Sequence, residues 1–156
     1  MNPVMRFEGI YTPVVTPVHA DGSIDYENLG RHIDRLVESG VHGLISGGST
    51  GENYAQSIAQ RIELAKFTHE RLEGRLPLIV GTGTMRTPDS IELAAAAATM
   101  GADAILLATP PYAVPTEREN AMNALTIDRA ADLPIMLYNY PGRMGVSMGE
   151  EFLDIF

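Results

Sequence analysis

Short apolar runs alternate along the chain with longer segments in which apolar residues recur every three or four positions. That recurrence is typical of an amphipathic helix, and a short apolar run bounded by turn residues is typical of a buried strand. Five strands are predicted in this way: Ile10–Val15, Gly43–Ser46, Leu78–Val80, Ala104–Ala108 and Ile135–Tyr138. The pattern therefore predicts strand and helix alternating four times, then a fifth strand and the start of a further helix.

Capping residues and glycines predict where the helices begin and end. Three segments fit the capping box, in which two side chains satisfy two unpaired main-chain N–H groups: Ser57–Gln60, Thr116–Glu119 and Ser147–Glu150. Thr87 precedes Pro88, which favours a cap followed by proline in the first turn. A glycine, the residue best suited to a left-handed helix end, follows three of the helices: Gly40, Gly74 and Gly101.

Apolar stripes indicate which helix faces pack against the strands. The first helix has a stripe of Leu29, Ile33, Leu36 and Val37. The second has a stripe of Ile58, Ile62, Ala65 and Leu72. Because a helix must return the chain before each new strand, these elements predict an α/β fold with a parallel sheet.

The links from strand to helix are long and polar, whereas the links from helix to strand are short. Sites in α/β folds form from the strand-to-helix loops at the carboxyl ends of the strands. Four such loops carry the glycines, hydroxyls and tyrosines of the chain: GGSTGENYAQ, GTGTMRT, TPPYAVPT and YNYPGRMGV. A complete five-stranded doubly wound domain is the alternative fold, but its last helix would be too short to cover the sheet.

Composition excludes several classes of protein. The 156 residues include 20 acidic and 11 basic side chains, for a net charge of −9, which disfavours nucleic acid and anionic membranes as partners. Cysteine is absent, which excludes disulfides, thiolate metal sites and a cysteine nucleophile. The first ten residues lack the apolar stretch of a signal peptide, and no apolar run approaches the ~20 residues of a membrane span. We therefore predict a cytoplasmic protein.

Gly47-Gly48-Ser49-Thr50-Gly51-Glu52 follows the second strand and has three interpretations. It fits the G-x-S-x-G nucleophile elbow of hydrolases, although the one histidine downstream, His69, falls inside a predicted helix. Successive glycine N–H groups and two hydroxyls also suit a cradle for a small carboxylate. The third interpretation is a turn that binds no ligand.

Three further side chains are candidates for chemistry. Tyr138 ends the fifth strand, where its phenol would donate and accept protons, and Arg143 has the planar fork that holds a carboxylate. Tyr112 follows two prolines and is either functional or an interface aromatic. The four histidines show no metal-ligand spacing, and no Walker or G-x-G-x-x-G motif is present, so no metal or cofactor site is predicted.

In their order and spacing, GGSTGE, GTG, TPPY and YNYPGR resemble the dihydrodipicolinate synthase / N-acetylneuraminate lyase family. The resemblance implies a (β/α)₈ TIM barrel, of which residues 1–156 would be the N-terminal portion. Such a barrel typically needs ~250 residues. It also implies a homo-oligomeric enzyme, tetramer or dimer. A lysine of this enzyme forms a Schiff base with pyruvate or another 2-keto acid, and a carbon–carbon bond to an aldehyde co-substrate is then made or broken.

The same resemblance implies roles for individual residues. Ser49 and Thr50 correspond to the hydroxyl pair that binds the keto-acid carboxylate and relays protons, beside the N–H groups of the Gly48 turn. Tyr138 corresponds to the proton-handling tyrosine, and Tyr112 to a loop tyrosine lent by a neighbouring subunit. Arg143 corresponds to the arginine that binds the carboxylate of the aldehyde in synthases.

The chain also departs from the family pattern. GGSTGE is typical of sialic acid lyases, whereas Arg143 is typical of synthases, so a sugar-acid lyase or dehydratase is the alternative to a dihydrodipicolinate synthase. Pro111 replaces a common aromatic residue, and Met85 and Arg86 replace small polar ones. The Schiff-base lysine of the family lies beyond residue 156, and the only lysine here, Lys66, is predicted to be a solvated surface charge. A non-catalytic half-barrel is therefore a third hypothesis.

Overall fold

A computed structural model describes residues 6–156. The first five residues, which belong to the segment predicted not to be a signal peptide, lie outside the described residues. Five parallel strands form one sheet in sequential order. The strands are Tyr11–Pro13 (β1), Gly43–Ser46 (β2), Leu78–Gly81 (β3), Ala104–Ala108 (β4) and Ile135–Tyr138 (β5). The predicted strands are confirmed, with β1 shorter and β3 one residue longer than expected.

Four long helices and two short ones complete the described chain. They are Tyr26–Glu38 (α1), Ile58–Leu72 (α2), Thr87–Met100 (α3), Glu117–Ala131 (α4), Pro141–Met144 (α5) and Glu150–Ile155 (α6). The link between β2 and α2 contains two 3₁₀ turns, Ser49–Gly51 and Asn53–Ala55. The α5 turn lies within a segment predicted as loop, where proline begins a single helical turn.

Two of the three predicted capping boxes are confirmed, at Ser57 and Thr116. The third, at Ser147, is wrong. Helix α6 begins at Glu150 after Gly149, and the N–H of Phe152 donates to the carboxylate of Glu117 at 3.1 Å. A side chain from α4 therefore supplies the acceptor that a local serine was expected to supply.

The predicted cap at Thr87 is also wrong, by one position. Arg86 precedes α3, and Thr87 is already helical, with its hydroxyl 2.7 Å from the Asn123 side-chain oxygen of α4. The threonine thus joins two helices instead of capping one. The three glycines expected to be left-handed are confirmed, with φ angles of 78°, 73° and 87°; they are Gly40, Gly74 and Gly101.

The two faces of the sheet differ in what covers them. On one face, strand residues such as Leu44 and Ile105 share a buried cluster with residues from α1–α4 and α6. The other face holds a separate small cluster of strand residues, Ile45, Ile79 and Ala104. Sequential parallel strands with helices on one face are the arrangement of a (β/α) barrel; a doubly wound sheet reverses its order and covers both faces. The structure is therefore a half-barrel, as the fold prediction required.

Helix α2 buries only part of the stripe that the sequence predicted, namely Ala65 and Leu72. Ile58 and Ile62 are only half-buried, whereas Arg61 and Thr68 are buried with Leu72. The inward face is therefore rotated toward Arg61, and it includes two polar side chains, Arg61 and Thr68, that the predicted stripe did not contain.

Asp34 of α1 ties this helix to α2 through Arg71 and Arg75, the latter at 2.9 Å. Hydrogen bonding, first from Arg71, holds the pKa of Asp34 below its ordinary value. A lowered folded-state pKa contributes stability above the unfolded-state pKa, and this stability is lost as pH falls through the folded-state value. We expect Asp34→Asn to lower the free energy of unfolding by about 0.5–1 kcal/mol at pH 7 and by much less at pH 2.

Thermal unfolding at both pH values measures this difference. Glu38→Gln, an exposed carboxylate one turn later on α1, is the control and should show no such pH-dependent gap. A gap of equal size at pH 7 and pH 2 would contradict the role given to the Asp34 charge.

Candidate active site

A cavity of about 230 Å³ opens at the carboxyl ends of β2 to β5. The loops after all four strands contribute to its lining, which is the edge of the sheet where the long polar loops were expected to meet. Among the residues predicted to form the site, Gly48, Ser49, Tyr138 and Arg143 line this cavity together. The structure therefore brings together residues that are up to 95 positions apart in sequence (48 to 143).

Glycines create the space for the cavity. A Cβ atom added to Gly81 would lie 2.4 Å from the carbonyl oxygen of Gly47, so the ends of β2 and β3 approach each other with no room for a side chain. Gly47 itself has a φ of 70°, a left-handed conformation in which its chain turns away from the sheet. A Cβ added to Gly83 would lie 3.2 Å from the Cβ of Ala108. Small residues thus keep the mouth of the half-barrel open.

The turn that carries Ser49 is fixed from behind by side chains. The carbonyl of Gly51 accepts hydrogen bonds of 2.8 Å from both the Thr16 hydroxyl and the Gln56 amide. The Asn53 amide donates to the carbonyl of Gly47 at 2.9 Å. These side chains fix the turn by hydrogen bonds to its carbonyl oxygens. The first N–H groups of the 3₁₀ helix Ser49–Gly51 have no acceptor within the turn and remain available to a ligand.

Tyr138 is the last residue of β5 and lies opposite Ala108 of β4. Its ring centroid is 5.9 Å from that of Tyr140, and the guanidinium carbon of Arg143 lies 5.6 Å from the Tyr140 ring centroid. Asn139 closes this loop, because its side-chain oxygen accepts from the N–H of Met148 at 3.1 Å. The arrangement holds a phenol and a guanidinium on the same side of the cavity.

Thr50 and Tyr112 lie outside the cavity lining. Thr50 follows Ser49 but is exposed, and Tyr112 is 88% exposed in the loop between β4 and α4. The base of that loop is fixed by a buried hydrogen bond of 2.8 Å from the Asn120 amide to the Thr109 hydroxyl. Tyr112 itself has a φ of 68°, a left-handed conformation that is uncommon for a residue other than glycine.

The lining carries one cationic side chain, Arg143, and no carboxylate among the residues that the structure describes. The chain as a whole has a net charge of −9. The cavity is therefore far less negative than the average surface, and this favours an anionic ligand over a cationic one.

Lys66, the only lysine of the sequence, and His69, the histidine considered for a hydrolase, both lie on α2 and do not line the cavity. The Lys66 ammonium is 3.8 Å from Glu70, and its side chain is 65% exposed, as predicted for a surface charge. His69 packs beside Gly101, the residue that leads into the amino end of β4. Since Ser49 follows the carboxyl end of β2, His69 cannot serve as its base, and the structure gives the hydrolase interpretation no support from His69.

Within residues 6–156 no cluster of three or more His, Asp or Glu side chains is arranged to hold a metal ion. No helix in the same part of the chain is both long enough and apolar enough to cross a bilayer.

Sequence reasoning missed the residues that support the site. Asn139, Asn120 and Gln56 were not singled out, because nothing in their local sequence shows which distant carbonyl or hydroxyl they meet. The position of Arg61 could have been noticed in the sequence. It lies at helical spacing from Ala65, Thr68 and Leu72, so this charged residue falls on the same helix face as residues that pack against the sheet.

Known proteins resemble this chain closely. The model of the dihydrodipicolinate synthetase family matches residues 6–154. The 4-hydroxy-tetrahydrodipicolinate synthase 2 of Streptomyces coelicolor is 40% identical over 152 residues, which are 97% of this chain and 51% of that protein. The corresponding enzyme of Cellvibrio japonicus is 38% identical over 144 residues, covering 92% of this chain and 50% of that enzyme.

Solved structures give the same result. Dihydrodipicolinate synthase from Aquifex aeolicus superposes with a TM-score of 0.91 at 32% identity, covering 94% of this chain and 50% of that one. A prophage protein of this family from E. coli K12, solved in complex with pyruvate, superposes with a TM-score of 0.91 at 33% identity, covering 94% of this chain and 49% of that one.

The chain spans about half the length of the curated relatives it matches. The family match extends over nearly all of the described residues, and the half-barrel corresponds to part of the barrel in the solved structures. The resemblance found in the GGSTGE, GTG and YNYPGR motifs is thereby confirmed. This chain belongs to the dihydrodipicolinate synthetase family.

Proposed function

We propose that the chain is the N-terminal part of a Schiff-base-forming 2-keto acid lyase or synthase. The reaction that we assign to it is the condensation of pyruvate with aspartate semialdehyde. One observation carries this proposal: Gly48, Ser49, Tyr138 and Arg143 line one cavity, to which residues 6–156 contribute hydroxyls and a guanidinium but no carboxylate. Such a cavity suits two small anionic substrates.

The chemistry requires a carboxylate anchor and a proton carrier. In the proposed reaction a lysine beyond residue 156 attacks the ketone of pyruvate, and water leaves as the iminium forms. The iminium is an electron sink that stabilises the carbanion attacking the aldehyde. Gly48 and Ser49 would anchor the keto-acid carboxylate through N–H and hydroxyl groups. Thr50, which the resemblance pairs with Ser49, is exposed outside the lining and is given no contact with the substrate. Tyr138 would move the protons.

The aldehyde half of the reaction involves two further residues. Arg143, at the rim beside Tyr140, would bind the carboxylate of the aldehyde substrate through its planar fork. Tyr112 is 88% exposed and does not line its own cavity, so it would be free to serve in the cavity of a neighbouring subunit of a homo-oligomer.

A second candidate differs in the aldehyde. The GGSTGE motif favours an N-acetylneuraminate or keto-deoxy sugar acid lyase or dehydratase, in which the keto-acid half of the site is unchanged. A candidate of another class is a non-catalytic half-barrel without the Schiff-base lysine.

Trapping the iminium tests the proposal. The full-length protein is incubated with pyruvate and reduced with borohydride, and the modified peptide is identified by mass spectrometry. We expect one pyruvate adduct at a lysine after residue 156. The 156-residue chain, treated in the same way, is expected to gain no adduct, since its Lys66 is exposed on α2.

The variant Lys66→Arg serves as the control and should leave the full-length adduct unchanged. A full-length protein that gains no adduct would contradict the proposed Schiff-base chemistry and favour the non-catalytic hypothesis. An adduct with pyruvate together with turnover of sugar acids, but not of aspartate semialdehyde, would select the second candidate.

A further inference from the structure

Arg61 is a buried charged side chain directly behind the cavity wall. It belongs to the inward face of α2 and is only 5% exposed. Its guanidinium donates to the carbonyl of Gly81 at 2.8 Å and to the carbonyl of Gly83 at 3.1 Å. Both glycines line the cavity, whereas Arg61 does not. One side chain on the helix layer therefore holds two points of the β3 wall.

The Gly81 carbonyl needs this donor because the sheet opens at that point. The β2–β3 pairing ends at Ser46 and Val80, after which the left-handed Gly47 turns its chain away. In a parallel sheet successive carbonyls point alternately to the two neighbouring strands, so the carbonyl after Val80 faces the side from which β2 has departed. The separation of the two strands creates both the cavity and an unpaired acceptor, and Arg61 satisfies that acceptor.

Among the residues that the structure describes, no carboxylate forms an ion pair with Arg61. Burial lowers its pKa to about 10, so the side chain remains protonated at neutral pH. A buried charge is screened less by salt than an exposed one. The wall of the cavity is thus backed by a positive charge in a chain whose net charge is −9.

We propose that Arg61 is a positioning residue: it clamps the Gly81–Gly83 wall and supplies the positive field that favours a carboxylate in the cavity. The second part rests on the proposed function. Because the keto-acid carboxylate is held in both the bound substrate and the transition state, loss of this support removes uniform binding and raises KM more than it lowers kcat.

Two substitutions that remove the same charge from the same helix test the clamp. Arg61→Met removes the buried cation, and Lys66→Met removes the exposed one. Hydrogen–deuterium exchange of the full-length protein should show at least fivefold faster exchange over residues 81–86 in Arg61→Met. Exchange over α1 should stay unchanged, and Lys66→Met should match the wild type throughout. Unchanged exchange over residues 81–86 in Arg61→Met overturns the clamp.

Steady-state kinetics test the carboxylate field. We expect Arg61→Met to raise KM for pyruvate about tenfold with less than a threefold change in kcat, and Lys66→Met to change neither. If exchange over residues 81–86 is faster in Arg61→Met but KM for pyruvate is unaltered, the proposed effect of the Arg61 charge on carboxylate binding is wrong, while its role in holding the Gly81–Gly83 wall stands. If the wild type forms no pyruvate adduct, the proposed function fails, and the exchange experiment still decides the clamp.

Arg61→Lys covers the case in which Arg61→Met does not fold. Lysine keeps the charge but lacks the fork that reaches two carbonyls, so exchange over residues 81–86 should still accelerate while KM rises by no more than about threefold. Wild-type exchange in Arg61→Lys would show that the two-carbonyl clamp is not needed.

Discussion

Replacing Tyr138 by phenylalanine in the full-length enzyme is expected to lower kcat by about 10²–10³-fold, because general acid–base catalysis by a positioned side chain is worth that much. The substitution removes one hydroxyl and keeps the ring at the end of β5, where Tyr138 is half-buried and lines the cavity. The fold should therefore persist, and KM for pyruvate should change much less than kcat.

Tyr140→Phe is the matched control. Its ring centroid lies 5.9 Å from that of Tyr138, but Tyr140 is 42% exposed and does not line the cavity. We expect this control to retain at least a third of wild-type turnover. If Tyr138→Phe retained as much, proton transfer would have to be assigned to another group, and Ser49 would be the next residue to substitute.

Turnover of both variants is measured with saturating pyruvate, so that a weakened keto-acid site is not mistaken for a lost proton carrier. The borohydride adduct gives an independent reading. If Tyr138 assists formation of the iminium, the adduct should accumulate more slowly in Tyr138→Phe and at the wild-type rate in Tyr140→Phe.

The strands and long helices were predictable because their signals are local. β2, β4 and β5 are short apolar runs in a sheet covered by helices, and each was found with its observed ends. The capping boxes at Ser57 and Thr116 involve residues three positions apart, so the sequence contains both partners. The cap of α6 was missed because Glu117 reaches Phe152 across 35 positions of sequence.

The sequence predicts which loops form the site, but it does not predict how their side chains are arranged within it. Parallel strands place their carboxyl ends on one edge, which is why Ser49, Tyr138 and Arg143 were expected to meet there. Nothing local showed that Tyr112 would adopt a left-handed conformation or that it would lie outside the cavity lining. Arg61 was not singled out, because the Gly81 carbonyl that it satisfies becomes unpaired only where β2 and β3 separate.

That separation leads to the largest expected effect on stability, from Gly81→Ala. The new Cβ would lie 2.4 Å from the carbonyl oxygen of Gly47 and 3.1 Å from the N atom of Gly48, and neither main-chain atom can move aside as a side chain could. We expect a loss of about 2–3 kcal/mol in the free energy of unfolding, typical of overpacking at a rigid contact. Urea unfolding of the full-length enzyme measures this loss.

Gly48→Ala is the control for stability, since it adds the same methyl group within the same junction. Its Cβ would lie 3.8 Å from an Ile45 side-chain carbon, an ordinary contact, and its φ of −81° suits alanine. This variant should lose less than about 1 kcal/mol. Equal losses in the two variants would show that the junction tolerates displacement of its main chain. In that case the close approach of Gly47 and Gly81 would not be what sets the width of the cavity.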